Sequence, residues 1–213
     1  MEIFNATNLL YIWGGFVKTI EISALSIFFS LIFGTVLALV KSYAPRPFRI
    51  LVSAYIELFR CTPNLLWILF IYFTVQGLDI VISTIAFTLF TSAVMAEIVR
   101  GGLNSIPRGQ FEAAQSQGFG FFATMRYIIL PQAMSTSMPA FMANVIFLLK
   151  ETSVFSAISL MDLMFTAKDL IGLYYKTAEN LFLLVVFYLI ILLPVSLLGS
   201  WLERRLRYAG FGA

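Results

Sequence analysis

The chain has 213 residues, 60% of them hydrophobic and only 12% charged, with a net charge of +3. Charged residues make up about 25% of a soluble domain, so this composition cannot cover a water-soluble globule and suits a lipid-embedded one. The absence of histidine removes the commonest general base and zinc ligand, and the single cysteine, Cys61, excludes an internal disulfide. No signal-peptide cleavage pattern stands near the start, so the first apolar run is expected to be retained.

Charge-free windows occur at 22–40, 61–78, 80–96, 127–149 and 180–202. Each is close to the ~17–25 residues that cross a bilayer as a helix, and in lipid the backbone must bond within the segment. The sequence therefore predicts an all-α membrane protein with five transmembrane helices, at about 16–40, 52–77, 79–99, 123–149 and 180–203, in a single domain over 1–213.

The first span carries small residues on one helix face, Thr19, Ser23, Ser26, Ser30, Gly34 and Ala38. Such a stripe lets helix backbones approach closely and is read as packing. Around the second span stand Glu57, Arg60 and Pro63. A span starting near residue 50 buries Arg60 deeply, whereas one starting near 61 leaves it at the interface. Glu57 is one turn away and could pair with it, and Pro63 predicts a kink.

Between Arg100 and Arg126 the chain turns polar. Asn104 and Ser105 are candidate N-caps, Pro107 suits a first helical turn, Ala113 and Ala114 favour helix, and Gly118 and Gly120 can end it with positive φ. A short helix over about 107–118 follows. The fourth span ends in Lys150-Glu151-Thr152-Ser153, whose two charges and two hydroxyls suit a zwitterion, with Asn144 about two turns earlier. Segment 154–176 mixes Met161, Met164, Tyr174 and Tyr175 with Asp162, Lys168 and Asp169, and predicts a short interfacial or re-entrant helix.

Lysines and arginines orient the chain. Lys41, Arg46 and Arg49 follow the first span, Arg100, Arg108 and Arg126 the third, and Arg204, Arg205 and Arg207 the fifth. With alternating spans these groups share one side. The other side has Lys150, Lys168 and Lys176 interleaved with Glu151, Asp162, Asp169 and Glu179. The expected topology puts the N-terminus outside and the C-terminus in the cytoplasm.

The pattern Glu112-Ala113-Ala114, Gly118, Ile128-Ile129-Leu130-Pro131 resembles the cytoplasmic loop of permease subunits of bacterial ABC importers. The flanking runs Glu97-Ile98-Val99-Arg100-Gly101-Gly102, Ile106-Pro107-Arg108-Gly109-Gln110, Pro131-Gln132-Ala133 and Lys150-Glu151-Thr152-Ser153 are similar to the polar amino acid branch of that family. So is Glu57-Leu58-Phe59-Arg60-Cys61-Thr62-Pro63. The chain departs from the family pattern at Cys61, where glycine is expected, and at Glu151, where aspartate is commoner.

The resemblance implies a type I importer permease fold in the bacterial cytoplasmic membrane. Its loop helix would be a coupling helix, with Gly109, Gln110, Glu112, Ala113, Ala114 and Gly118 as the residues that meet an ATPase. Arg60, Asn144, Lys150, Glu151, Thr152 and Ser153 are the candidates for the substrate path. The implied partners are two ATPase subunits, a second permease (identical or homologous), an extracytoplasmic amino-acid-binding protein and the bilayer, with no nucleic acid. The chain has no Gly-x-x-x-x-Gly-Lys-Ser/Thr loop, so no cofactor is expected on it, and ATP and Mg belong to the partner ATPase. Two other classes stay in view. An intramembrane enzyme would need a nucleophile and base, or metal ligands, on facing spans. A small channel would not need the polar loop. Among importers, the same loop also fits a permease for another small solute.

Overall fold

A computed structural model describes residues 5–75, 77 and 79–206. Arg207, counted above with the last basic group, and Leu78, which closes the second window, lie outside the described residues. Among the described residues there is no β-strand. Four helical stretches are long and apolar enough to cross a membrane, and a bent pair makes a fifth.

Helix α1 (Ala6–Tyr43) has 38 residues, about 57 Å at 1.5 Å per residue. It starts ten residues before the expected boundary at 16, with the Asn5 side chain accepting from the Asn8 N–H at 2.7 Å. Its small-residue stripe is buried: Thr19, Ser26, Ser30 and Ala38 are fully covered. The stripe seats α1 on α4 (Asp79–Ser105). A Cβ on Gly34 would stand 2.5 Å from Met95 Cβ and 2.9 Å from the Ser92 carbonyl, so the two backbones touch there.

The expected span over 52–77 is two helices, α2 (Arg46–Arg60) and α3 (Asn64–Thr74), bent by 101° across Cys61-Thr62-Pro63. Pro63 lacks an N–H and disfavours helical geometry at Thr62. Thr62 Oγ donates back to the Leu58 carbonyl at 2.5 Å and accepts from Trp67 Nε1 at 2.6 Å, pinning the bend. Cys61 has φ −92° and is exposed, so this turn does not need the glycine of the family pattern.

After α4 come α5 (Arg108–Ser116) and a continuous helical run, Phe121–Ile158. That run comprises α6 (Phe121–Thr124), a π-turn (Met125–Ile129), α7 (Leu130–Glu151) and a 3-10 turn (Thr152–Ile158), and so overshoots the expected 123–149 at both ends. Helices α4 and α7 meet at Gly102, where Ser137 Oγ donates to the Ile98 carbonyl at 3.1 Å. The last helix, α9 (Thr177–Leu206), leaves most of its apolar side chains uncovered, Leu193, Leu197 and Trp201 among them.

The segment 154–176 contains α8 (Leu163–Tyr174), but it is not simply interfacial. Leu163, Thr166, Ala167 and Leu170 are buried against α1 and α9. Thr19 Oγ1 accepts from the Leu163 N–H at 3.1 Å. Asp162, fully buried between the fourth and fifth apolar stretches, caps α8 by accepting from the Phe165 N–H at 2.8 Å. Burial pushes its carboxyl from 3.8 up to about 6, against the opposing pull of the backbone N–H bonds.

A raised carboxylate pKa stabilises the fold fully below about pH 4, and that contribution is lost as pH rises through 6. A shift of this size corresponds to about 3 kcal/mol. Asp162→Asn keeps the cap without the charge and is expected to remove this loss of stability between pH 4 and 6, while Asp162→Ala loses the cap, ~1 kcal/mol. Melting of the purified protein across that window checks both. Equal pH dependence in wild type and Asp162→Asn would contradict the assignment.

Candidate functional site

Helix α5 is short, but its position is fixed at both ends. Asn104 and Ser105, the expected N-caps, instead finish α4, with Ser105 Oγ donating to the Gly102 carbonyl at 2.7 Å. Pro107 holds the N-cap position and makes no side-chain cap bond. At the other end Gly118 adopts φ +80°. Its N–H bonds to the Gln115 carbonyl at 2.9 Å, and the Phe119 N–H reaches back to Ala114 at 3.0 Å. This is the paired bonding of a Schellman stop, which favours glycine. Gly120 has φ −71° and begins α6 instead, so only one of the two glycines does the expected work.

One face of α5 is anchored. Ala114 is buried, and Phe111 is half-buried against the cluster of Ala38, Val99, Leu103, Met125 and Ile129. The other face is open: Gly109, Glu112 and Ala113 are exposed, and a Cβ on Gly109 would meet nothing within 4 Å. Gln110 is exposed and its Oε1 accepts from Gln132 Nε2 at 3.3 Å. The six expected contact residues therefore divide. Gly109, Gln110, Glu112 and Ala113 present a surface, while Ala114 and Gly118 build the helix that carries it.

Beneath α5, Glu97 joins two helices. Its Oε1 accepts from Lys41 Nζ at 2.8 Å and its Oε2 from Arg100 at 2.6 Å. This network ties the last turn of α1, through Lys41, to Glu97 and Arg100 of α4. The sequence signal for half of it was the i, i+3 pair Glu97 and Arg100; Lys41 had none.

The candidate path residues spread over two levels. Helix α2 has 15 residues, a rise of about 22 Å, and Tyr55 Oη donates to the Leu89 carbonyl near the middle of α4 at 2.7 Å. Arg60, exposed at the end of α2, lies about 7.5 Å further along the helix than Tyr55. Glu57 does not pair with it among the described residues; its Oε2 accepts from Cys61 Sγ at 3.6 Å. Asn64, the first residue of α3, donates through Nδ2 to Glu151 Oε1. This contact ties the bend after Arg60 to the end of α7, and nothing in the sequence singled Asn64 out.

Lys150 is exposed and Ser153 half-buried. Thr152 is fully buried and donates to the Leu149 carbonyl at 2.9 Å. Asn144 is buried, and its Nδ2 has no partner among the described residues. The structure thus brings Asn64 and Glu151 together, sets Arg60 four residues before Asn64 at the end of α2, and withdraws Thr152 into the protein. A charge at the bilayer centre costs ~2.5–3.5 kcal/mol on insertion scales, which favours a watery or paired setting for Arg60.

Residues 30–208 match the model of the family described as "binding-protein-dependent transport system inner membrane component". The chain belongs to that family. As a binding-protein-dependent permease it is a multi-pass inner membrane subunit and not an enzyme; it works with a partner ATPase, which hydrolyses ATP, and with a substrate-binding protein.

Among its relatives, the probable glutamine ABC transporter permease protein GlnM of Bacillus subtilis is 32% identical, over 90% of this chain and 91% of its own length. The glutamate/aspartate import permease protein GltK of Escherichia coli is 32% identical over 93% and 94%. The arginine transport system permease protein ArtQ of B. subtilis is 32% identical over 96% and 97%. A chain in the crystal structure of an amino acid ABC transporter with histidines superposes with a TM-score of 0.83 at 31% identity, covering 92% of this permease and 94% of that chain. A chain of the inward-facing MetNI methionine ABC transporter shares the fold, with a TM-score of 0.79 at 21% identity over 95% and 99%. The permease has the type I importer fold.

Proposed function

We propose that this permease forms the transmembrane route for a polar amino acid and is switched between inward-open and outward-open states through α5. Relatives named for glutamine, glutamate/aspartate and arginine, each about a third identical over nearly the whole chain, support the solute class. The observation that carries the mechanism is the two-faced α5, anchored by Phe111 and Ala114 and open at Gly109, Gln110, Glu112 and Ala113. A rigid helix with a free polar face passes a push into the bundle instead of absorbing it.

In this reading two ATPase subunits, holding ATP and Mg, grip the α5 helices of two permeases, identical or homologous. Closure of the ATPases biases a two-state bundle. The N-terminus is outside, the C-terminus cytoplasmic, and an extracytoplasmic binding protein delivers the solute. Arg60 and Glu151 meet opposite ends of the zwitterion near the α2–α3 bend, flanked by Lys150, Ser153 and Asn144.

Reconstituted with its ATPase, Arg60→Ala or Glu151→Ala is expected to lower uptake of the cognate amino acid about ten- to hundredfold, the equivalent of one charged hydrogen bond, ~1.5–3 kcal/mol, while the ATPase still copurifies. Unchanged uptake kinetics would return both residues to a packing role.

A further inference from the structure

Helix α2 is the most amphipathic of the described helices. Its buried side chains, Ile56 and Phe59, pack on Leu37, Ala93 and Ala96. Arg46, Arg49, Ser53, Glu57 and Arg60 recur at spacings of three and four and so share one face. A groove of about 580 Å³ runs along the lower part of this face, lined by Lys41, Arg46, Arg49, Ile50, Ser53, Ala54 and Glu57. Its upper end points toward Arg60 and the Asn64–Glu151 contact.

The groove holds three cations and one carboxylate. Lys41 is engaged by Glu97, and Arg46 and Arg49 have no carboxylate partner among the described residues. Ionisable residues on a spanning helix face water or protein, not lipid. An excess of one sign of charge in a cleft concentrates ions of the other.

We infer that the polar face of α2 lines a water-filled half-channel leading from the Arg60–Glu151 level to the α5 end of the bundle, and that its positive excess admits carboxylate-bearing solutes of zero or negative net charge and disfavours cationic ones. The solute half of this statement rests on the amino acid reading above; the water-filled face does not. Leu51 and Leu58, exposed on the opposite flank of α2, lie outside the half-channel.

The test uses the assembled transporter in inside-out and right-side-out vesicles, in a Cys61→Ser background. Ile50→Cys and Ser53→Cys should react with the anionic reagent sulfonatoethyl methanethiosulfonate, and Leu51→Cys and Leu58→Cys should not. At Ser53→Cys the anionic reagent should outpace the cationic trimethylammonioethyl reagent at least about tenfold, each rate taken relative to a free thiol. Arg46→Gln with Arg49→Gln should bring that ratio close to one, and should raise inhibition of uptake by arginine relative to glutamine. Labelling of Leu51→Cys and Leu58→Cys as fast as Ser53→Cys, or a ratio indifferent to the two arginines, overturns the inference. The labelling pattern without any amino acid uptake would sustain the half-channel and sink only the solute assignment.

Discussion

Lysine in place of Glu112 is expected to leave the permease folded, inserted and expressed, and to uncouple ATP hydrolysis from uptake. Glu112 is exposed on α5 and has no ion-pair partner among the described residues. Surface substitutions of this kind change stability by about 0.5 kcal/mol or less. At a docked interface the same change reverses a charge, and like-charge juxtaposition there costs several kcal/mol. As about 1.4 kcal/mol is a factor of ten, coupled uptake should fall at least about tenfold. The measurement is solute uptake against ATP hydrolysis in proteoliposomes, with melting temperature as the control. Normal uptake by the variant would remove Glu112 from the docking face.

The second large effect is on assembly of the bundle itself. A Cβ on Gly102 would stand 2.0 Å from Ser137 Oγ and 2.4 Å from the Ala133 carbonyl. The serine could rotate away; the α7 backbone could not without shifting the helix that carries Glu151. Overpacking of a tight core costs about 1–3 kcal/mol and sometimes more, and here it falls where two backbones meet in lipid. Gly102→Val is therefore expected to destabilise the bundle by about 3 kcal/mol, the upper end of that range, and to lower the yield of monodisperse protein severalfold.

The neighbouring Gly101 is the control, because a Cβ there meets nothing within 4 Å. Gly101→Ala should be neutral or stabilising by roughly 0.5–1 kcal/mol, since alanine loses less backbone entropy in a helix. Size-exclusion profiles and melting of the two variants decide it. Equal behaviour would mean that α4 and α7 are not in backbone contact.

What the sequence disclosed follows from what each signal encodes. The absence of charge marks lipid, so 22–40, 80–96 and 180–202 announced helices α1, α4 and α9. The same signal blurred the second span, because the arginines and Glu57 of α2 interrupt the apolar run and the expected 52–77 took in only part of that helix. Its polar residues recur at helical spacing, and Pro63 marked a bend without giving its angle. The stripe from Thr19 to Ala38 was legible as packing because spacing alone defines a helix face.

Partners were not legible. That Gly34 meets Met95, that Asn64 reaches Glu151 and that Lys41 reaches Glu97 depend on contacts made only after folding. In α5 the helix itself could be read, but which of two adjacent alanines is buried depends on how the helix is rotated against the bundle. The structure buries Ala114 and leaves Ala113 free.

The exposed Ala113 also offers the most direct test of α5 as the link to the ATPase. With Ala113→Cys in a Cys61→Ser permease and single cysteines placed around the ATPase surface groove, short bifunctional crosslinkers should join the two chains at defined groove positions, and the crosslinked complex should lose coupled uptake. Copurification of the ATPase without any crosslink to Ala113→Cys, or crosslinking that leaves ATP-driven uptake intact, would contradict the account.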